Sequence, residues 1–182
     1  MKKLKIVIIL ILFLNSFNLI AQDSIQAPKF IDHLSLGFGG GLDYGGFGVN
    51  MLVYPHQNIG IFGGVGYALV GAGYNVGAKF RLISKKHRTD PYFLAMYGYN
   101  AAIKVQDASD YNKLFYGPSF GIGLDYRTKR QRNGYWSFAL LVPVRSPDVN
   151  QYIDDLKTYH NAEFKNELIP IAYSFGYHFF LR

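Results

Sequence analysis

Histidines have the widest chemical repertoire in this sequence, and there are five of them: His33, His56, His87, His160 and His178. None has a second ligand residue two or four positions further along, so no metal site is predicted. His33 and His178 lie in the first and last of several alternating segments, on the face that carries small and polar residues. With Ser35 or Ser174 they could form a nucleophile and its general base. Buried histidines are more often hydrogen-bonded structural residues, so His33, His178 and Ser174 are weak catalytic candidates.

Charged residues on the same face of these segments form a second group: Asp43, Lys79, Arg81, Asp125, Arg127, Arg145 and Arg182. Isolated charges are costly in a narrow interior, so opposite signs are expected to pair across it. The prediction is a network of salt bridges that fills the interior. A conducting pore for small polar solutes is the alternative, although eight strands leave little free bore.

Glycine-rich strings occur at Gly37–Gly41 and Gly63–Gly66. Both lie inside alternating segments, and neither opens a helix, which phosphate binding would require. The chain has no cysteine, which excludes disulfides, thiolate metal sites and cysteine nucleophiles. No cofactor is expected.

Residue types alternate along much of the chain with a period of two, the period of a β-strand. In Tyr116–Tyr126 the even positions are large and mostly apolar, whereas the odd positions are Gly, Ser or Asp. Ile169–Leu181 repeats the pattern in odd phase. Eight antiparallel strands are predicted: His33–Asp43, Gly46–Tyr54, Ile59–Val70, Tyr74–Leu82, Tyr92–Val105, Tyr116–Tyr126, Tyr135–Arg145 and Ile169–Leu181.

The residues on the two faces predict an all-β, eight-stranded antiparallel transmembrane barrel. A soluble barrel has its large apolar side chains inside, and a lipid-embedded barrel has them outside. Here the other face is rich in Gly, Ser, Ala, Asn and isolated charges, which suits a narrow polar lumen. Hydrophobic residues make up 49% of the chain and aromatic residues 17%, as in a barrel with aromatic girdles. A soluble lipocalin-like barrel is the alternative.

The longest connections are residues 106–114 and 146–168, both on the predicted outer side. Ser146 can cap a helix, with Pro147 at its first position and Asp148 in its first turn. A short amphipathic helix is therefore predicted between strands 7 and 8. Its apolar face would comprise Val149, Tyr152, Ile153, Leu156 and Tyr159. It is either a lid on the barrel rim or a docking helix for a partner or for lipopolysaccharide head groups.

The N-terminus has the order of residues that is typical of an export signal. Three lysines within the first five residues precede the apolar run Ile6–Leu14, and the small residue Ala21 precedes a polar segment. The run is about half the length of a spanning helix, which favours a signal peptide over an uncleaved anchor. The predicted organisation is a cleaved signal peptide (1–21), a periplasmic segment (22–32) and an outer-membrane barrel (33–182).

Net charge gives no support for nucleic-acid binding. The formal charge of +7 falls to +4 once the three signal lysines are removed. Much of the remainder lies in two short clusters, 85–88 and 127–132, whereas a nucleic-acid protein would spread it over one face. Basic turns are the better interpretation.

The alternating strands, the signal ending in Ile20-Ala21-Gln22 and the aromatic alternation of Tyr173–Leu181 resemble the small outer-membrane β-barrel proteins of Bacteroidetes-type bacteria. The resemblance covers essentially the whole mature chain. In that group the last strand usually ends on an aromatic residue, whereas here Leu181 and Arg182 follow Phe180. The group includes adhesins, structural proteins, small pores and a few lipid enzymes, so the resemblance implies location and fold rather than activity.

We therefore expect a monomeric, non-enzymatic protein of a Gram-negative outer membrane, with a structural or surface-contact role. Residues 106–114 and 146–168 would make the surface contacts. The expected partners are outer-membrane lipid and lipopolysaccharide and, during biogenesis, the barrel-assembly machinery. Two alternatives remain: a barrel enzyme that acts on lipid A or phospholipid, and a narrow pore for small polar solutes.

Overall fold

The computed structural model describes residues 33–84, 88–105, 111–127, 133–160 and 168–181. Its strands are β1 (Leu34–Gly41), β2 (Gly46–His56), β3 (Ile59–Tyr67), β4 (Ala72–Arg81), β5 (Thr89–Ile103), β6 (Lys113–Tyr126), β7 (Gly134–Pro143) and β8 (Ala172–Phe180). A short 3-10 segment, Leu42–Tyr44, follows β1, and helix α1 spans Pro147–His160.

The eight strands form a closed antiparallel barrel in which β1 also pairs with β8. Within the barrel, closure gives each strand hydrogen-bonded neighbours on both sides and leaves no open sheet edge. A ten-residue strand such as β4, tilted by about 40°, rises about 25 Å along the barrel axis. The predicted eight-stranded antiparallel barrel with one helix between its last two strands is confirmed.

Large apolar side chains cover the outside of the barrel. Phe93, Ile122 and Leu140 lie along this surface and are about half exposed. In the described strands the exposed positions are apolar, aromatic or glycine, with the exceptions of His56 and Lys113 at strand ends. The alternation thus has the phase predicted from the sequence, with the large apolar residues outside.

Tyrosine and tryptophan concentrate near both ends of this outer surface. We call the end with His33 and Leu181 the terminal end and the opposite end the loop end. Near the terminal end, Trp136 pairs with Tyr126 on one side and with Tyr177 on the other. Near the loop end, the rings of Tyr74 and Tyr116 stack with centroids 4.8 Å apart. Two aromatic zones therefore flank a band of Phe, Val, Ile and Leu.

The first strand is shorter than predicted, because the chain turns into the barrel after Gly41. Leu42–Tyr44, which we call the inward turn, is wholly buried. Gly45 and Gly46 follow it with φ values of 67° and 107°, which residues with a Cβ rarely adopt. In the predicted strand His33–Asp43, Leu42 shares the outer apolar face with Leu34, Leu36 and Phe38; this prediction is wrong, because Leu42 is buried in the inward turn.

The barrel interior is less polar than predicted. Beside its polar residues it contains an apolar cluster that fills part of the space between the strands: Leu42, Leu52, Tyr54, Phe62, Tyr92, Leu94, Met96, Ala139 and Leu141. An eight-stranded barrel is just wide enough for its own side chains, so large inward residues fill it without an added core. Three of these residues, Tyr92, Leu94 and Met96, belong to β5, where both faces carry large side chains and the alternation does not show which face is inward.

Two strands extend beyond the barrel at the loop end. β5 and β6 pair as far as Ile103 and Lys113, and α1 packs against this extension. The shared apolar cluster contains Ala101, Ile103, Val149 and Leu156, with Val105, Phe115, Tyr152, Ile153 and Leu168 beside it. The Tyr152 hydroxyl donates a hydrogen bond to the Tyr111 carbonyl at 2.9 Å. We call this assembly the hairpin–helix unit.

Several sequence predictions lie outside the described residues. These are the signal peptide and the segment that follows it, His87, residues 106–110 and 161–167, Arg182, and the side chains of Tyr159 and His160. No helix in the described part is long and apolar enough to cross a membrane, a finding that has no bearing on crossing by strands.

Candidate functional site

The barrel interior contains a buried ion pair. Lys79 of β4 donates to Asp125 Oδ1 of β6 at 2.8 Å, and both side chains are nearly inaccessible to solvent. The Ser137 hydroxyl donates to the same oxygen at 2.8 Å, and it lies 2.9 Å from the Tyr92 hydroxyl. The Lys79 ammonium also lies 3.7 Å from the centre of the Tyr92 ring. Opposite charges therefore pair inside the barrel at these two residues, whose strands are separated only by β5.

His178 of β8 is the centre of a second polar cluster. Its Nε2 lies 2.9 Å from the Tyr44 hydroxyl of the inward turn, and its Nδ1 lies 3.4 Å from Ser35 Oγ of β1. Tyr135 stacks on the imidazole with centroids 5.0 Å apart, and its hydroxyl lies 3.3 Å from Ser35 Oγ. Both ring nitrogens therefore have partners inside the barrel.

Two asparagines hold the inward turn against the barrel wall. Asn50 of β2 donates to the Asp43 carbonyl at 2.7 Å. Asn75 of β4 donates to the Leu42 carbonyl and to the Tyr99 carbonyl at 3.1 Å. Because these bonds satisfy backbone oxygens that water cannot reach, they fix the turn inside the barrel and place Asp43 in the interior.

The predicted arginines lie toward the two ends. Arg81 is buried, with its guanidinium 3.9 Å from the centre of the Tyr54 ring and a hydrogen bond to the Gln57 carbonyl at 3.2 Å. Arg127 pairs with Asp90 at 2.9 Å near the terminal end. Arg145 lies near the loop end and donates to the Ile169 carbonyl at 2.7 Å. The arginines thus tie turns and strand ends to the barrel.

The three weak catalytic candidates are not brought together. His33 is exposed immediately before β1, whereas His178 and Ser174 are buried. Ser174 is buried four residues before His178 on the same strand, about 13 Å away at 3.3 Å per residue. It lies instead beside Gly41, where an added side chain would collide with it. The serine that contacts His178 is Ser35.

Sequence reasoning missed the buried tyrosines, Tyr44, Tyr92 and Tyr135, which are the aromatic partners of Lys79 and His178. Tyr92 and Tyr135 occupy inward positions of β5 and β7, a signal that strict phase counting could have found. Tyr44 is inward only because the turn folds back, which residue spacing does not encode.

A small space lies among Asp43, Lys79, Tyr92, Ser137 and His178 in the described part of the interior. Its volume is about 10 Å³, room for about one water molecule. In the described part of the chain no group of three or more His, Asp or Glu side chains could hold a metal ion. The arrangement can neutralise and hydrogen-bond buried polar groups, and it leaves little room for a substrate.

Comparisons with protein-family models, with curated proteins and with solved structures gave no match. The class of this protein is therefore given by its own structure: an all-β, eight-stranded closed barrel, with a filled interior and an outer surface covered by apolar and aromatic side chains.

Proposed function

We propose that this protein is an integral outer-membrane β-barrel of a Gram-negative, Bacteroidetes-type bacterium, with a structural or surface-contact role and no catalytic activity. The observation that carries the proposal is the outer surface. Exposed strand positions are apolar between the strand ends, and aromatic zones flank them on both sides. In water such a surface would cause aggregation, whereas in a bilayer it matches the hydrocarbon and its two interfaces.

Localisation is tested by fractionation together with a heat-modifiability gel. The protein is expected in the outer-membrane fraction, and the unboiled form is expected to migrate differently from the boiled form, because a lipid-stable barrel stays folded in detergent. Recovery of the folded protein from the soluble periplasm would contradict the proposal. The same preparation tests the signal peptide, because the intact mass of the mature protein should correspond to a chain that begins near residue 22.

The filled interior favours a barrel that does not conduct solutes over the narrow pore. Buried side chains of different strands, such as Lys79 of β4 and Asp125 of β6, meet inside the barrel, and an apolar cluster fills part of the remaining space. Purified protein in planar bilayers should therefore show no steady conductance. Reproducible channel steps from the folded form would favour the pore instead.

The His178→Ala variant separates the structural role from a lipid enzyme. His178 is 3% exposed, and both its ring nitrogens have partners, which supports a structural role. We expect the lipid A and phospholipid profiles of cells that carry the variant to equal those of the wild type. Stability should fall by about 1–3 kcal/mol, because Tyr44 and Ser35 lose a buried partner. A changed lipid profile from a barrel that remains folded would favour the enzyme.

A further inference from the structure

The two sides of the barrel extend to different lengths at the loop end. Between β5 and β8 it carries the hairpin–helix unit. On the other side two strand pairs end in short turns: the inward turn, and residues Ala68–Gly71 between β3 and β4. We call the latter the β3–β4 turn.

The β3–β4 turn has an apolar composition that is unusual for a turn in water. Every residue between Tyr67 and Tyr74 is Ala, Leu, Val or Gly, whereas surface turns are usually rich in polar residues. The Leu69 side chain is 61% exposed, and Phe47, which pairs with Tyr67 across the strands, is 75% exposed. By contrast, the hairpin–helix unit carries exposed charged residues, including Lys113 and Asp154.

The backbone of this turn disfavours leucine as well. The turn is closed by hydrogen bonds from Ala68 N to the Gly71 carbonyl at 2.8 Å and from Val70 N to the Ala68 carbonyl at 2.6 Å. Leu69 thereby takes a φ of 62°, the left-handed region. Glycine or asparagine adopts this conformation with less strain and is better hydrated. Neither backbone conformation nor hydration in water explains a leucine here.

We propose that Leu69, at the tip of the β3–β4 turn, inserts into the boundary between lipid headgroups and acyl chains. The β1–β4 side of the barrel would then lie deeper in the bilayer than the β5–β8 side. This inference rests on the proposed membrane location. The tip is continuous with the apolar outer surface through Phe47 and Tyr67, and it extends beyond Tyr67 and Tyr74. Tyrosines of this kind lie at headgroup level. A leucine beyond them contacts lipid only if this side of the barrel is submerged.

Tryptophan fluorescence in lipid vesicles tests the depth of the tip. The chain has one tryptophan, Trp136, in the aromatic zone near the terminal end. In a Trp136→Phe background we would place a single tryptophan by Leu69→Trp, and by Gln151→Trp on the exposed face of α1 as a matched control. Val70→Trp repeats the measurement if the strained position 69 does not accept the larger ring. Each variant is folded into phosphatidylcholine vesicles with and without brominated acyl chains, and heat modifiability verifies folding.

The indole introduced by Leu69→Trp is expected to behave like native Trp136 and unlike the indole of the α1 control. Brominated lipid should quench the fluorescence of the Leu69→Trp variant and of native Trp136 strongly. Aqueous iodide should quench the Leu69→Trp variant several-fold less than the Gln151→Trp variant.

Strong iodide quenching of the Leu69→Trp variant, with no effect of brominated lipid, would overturn the inference. If native Trp136 were quenched by brominated lipid in that case, the proposed membrane location would stand. If Trp136 were also unaffected by brominated lipid, both proposals would fail.

A second variant separates lipid contact from a purely structural role. Leu69→Asn relieves the left-handed backbone, so a structural role predicts unchanged or greater stability in both detergent and vesicles. Lipid contact predicts that stability in detergent is retained while insertion into vesicles slows several-fold. Equal insertion rates for the variant and the wild type would count against the inference.

Discussion

At the scale of single residues, buried polar side chains in this barrel are stabilised by close partners on other strands. The Lys79 ammonium contacts both the Asp125 carboxylate and the Tyr92 ring. Removing one member of a buried ion pair leaves the other charge uncompensated in a medium of low dielectric constant. The partners therefore matter more to stability than the charges themselves.

Lys79→Met should lower the free energy of unfolding by about 3–5 kcal/mol, because Asp125 then loses its cation. The double variant Lys79→Met/Asp125→Leu should lose less than this single variant. Lys113→Met is the control, because its ammonium is exposed at the start of β6, and it should cost less than about 1 kcal/mol. Urea unfolding in lipid vesicles measures all three. Equal losses for Lys79→Met and Lys113→Met would refute the role of the ion pair.

At the scale of elements, two segments outside the strands are held in different ways. The inward turn depends on hydrogen bonds from Asn50 and Asn75 to its backbone. Helix α1 depends on apolar contacts with the extended β5–β6 hairpin, where Val149 and Leu156 are almost fully buried. The inward turn is part of the barrel interior, whereas α1 packs on the part of the β5–β6 hairpin that extends beyond the barrel.

Asn75→Ala should loosen the inward turn. The Gly45 amide donates to the Leu42 carbonyl at 3.0 Å, so its hydrogen exchange reports on opening of the turn. Losing a buried hydrogen bond of about 1–2 kcal/mol corresponds to roughly tenfold faster exchange. Asn58→Ala is the control, because that side chain bonds to the Arg81 carbonyl at the terminal end. Unchanged hydrogen exchange at Gly45 in the Asn75→Ala variant would contradict the role of Asn75 in holding the inward turn.

Leu156→Ala should detach α1 from the hairpin without unfolding the barrel. The cavity would cost about 2–4 kcal/mol in local stability, and limited proteolysis between residues 144 and 171 should accelerate. Heat modifiability should persist, because the barrel interior does not depend on this cluster. The matched control is Gln151→Ala on the exposed face of the same helix. Loss of the heat-stable form in Leu156→Ala would show that the hairpin–helix unit stabilises the whole barrel.

At the scale of the whole molecule, the barrel has apolar residues on both of its surfaces but for different reasons. Leu52, Phe62 and Leu94 fill the interior, and the outer band is the surface that we propose contacts lipid. Only the outer band depends on the proposed membrane location. A charge placed on the outer band therefore discriminates between membrane and water.

Ile122→Arg places a charge in the middle of the outer band, where the wild-type side chain is 56% exposed. In a bilayer this should cost about 2–4 kcal/mol, whereas at an exposed site in water the cost would be near zero. Asn150→Arg, on the exposed face of α1, is the control and should be neutral. Unfolding in lipid vesicles gives the difference. A neutral Ile122→Arg would contradict the membrane location.

The sequence by itself determined which residues of most strands share a face, because successive side chains of a strand point to opposite sides whatever the rest of the molecule does. The large apolar residues of one face and the small and polar residues of the other indicated which face is outward. The sequence therefore sufficed to predict the barrel, the outward Phe120 and Ile122, and helix α1 after Ser146. Only the tertiary structure decided which side chains meet inside. Barrel closure brings Ser35 of β1 to His178 of β8, and strand tilt and register bring Lys79 to Asp125. The inward turn requires positive φ values at Gly45 and Gly46. Glycine can adopt such values in turns of several directions, so only the packing of the surrounding strands decides that this turn enters the barrel.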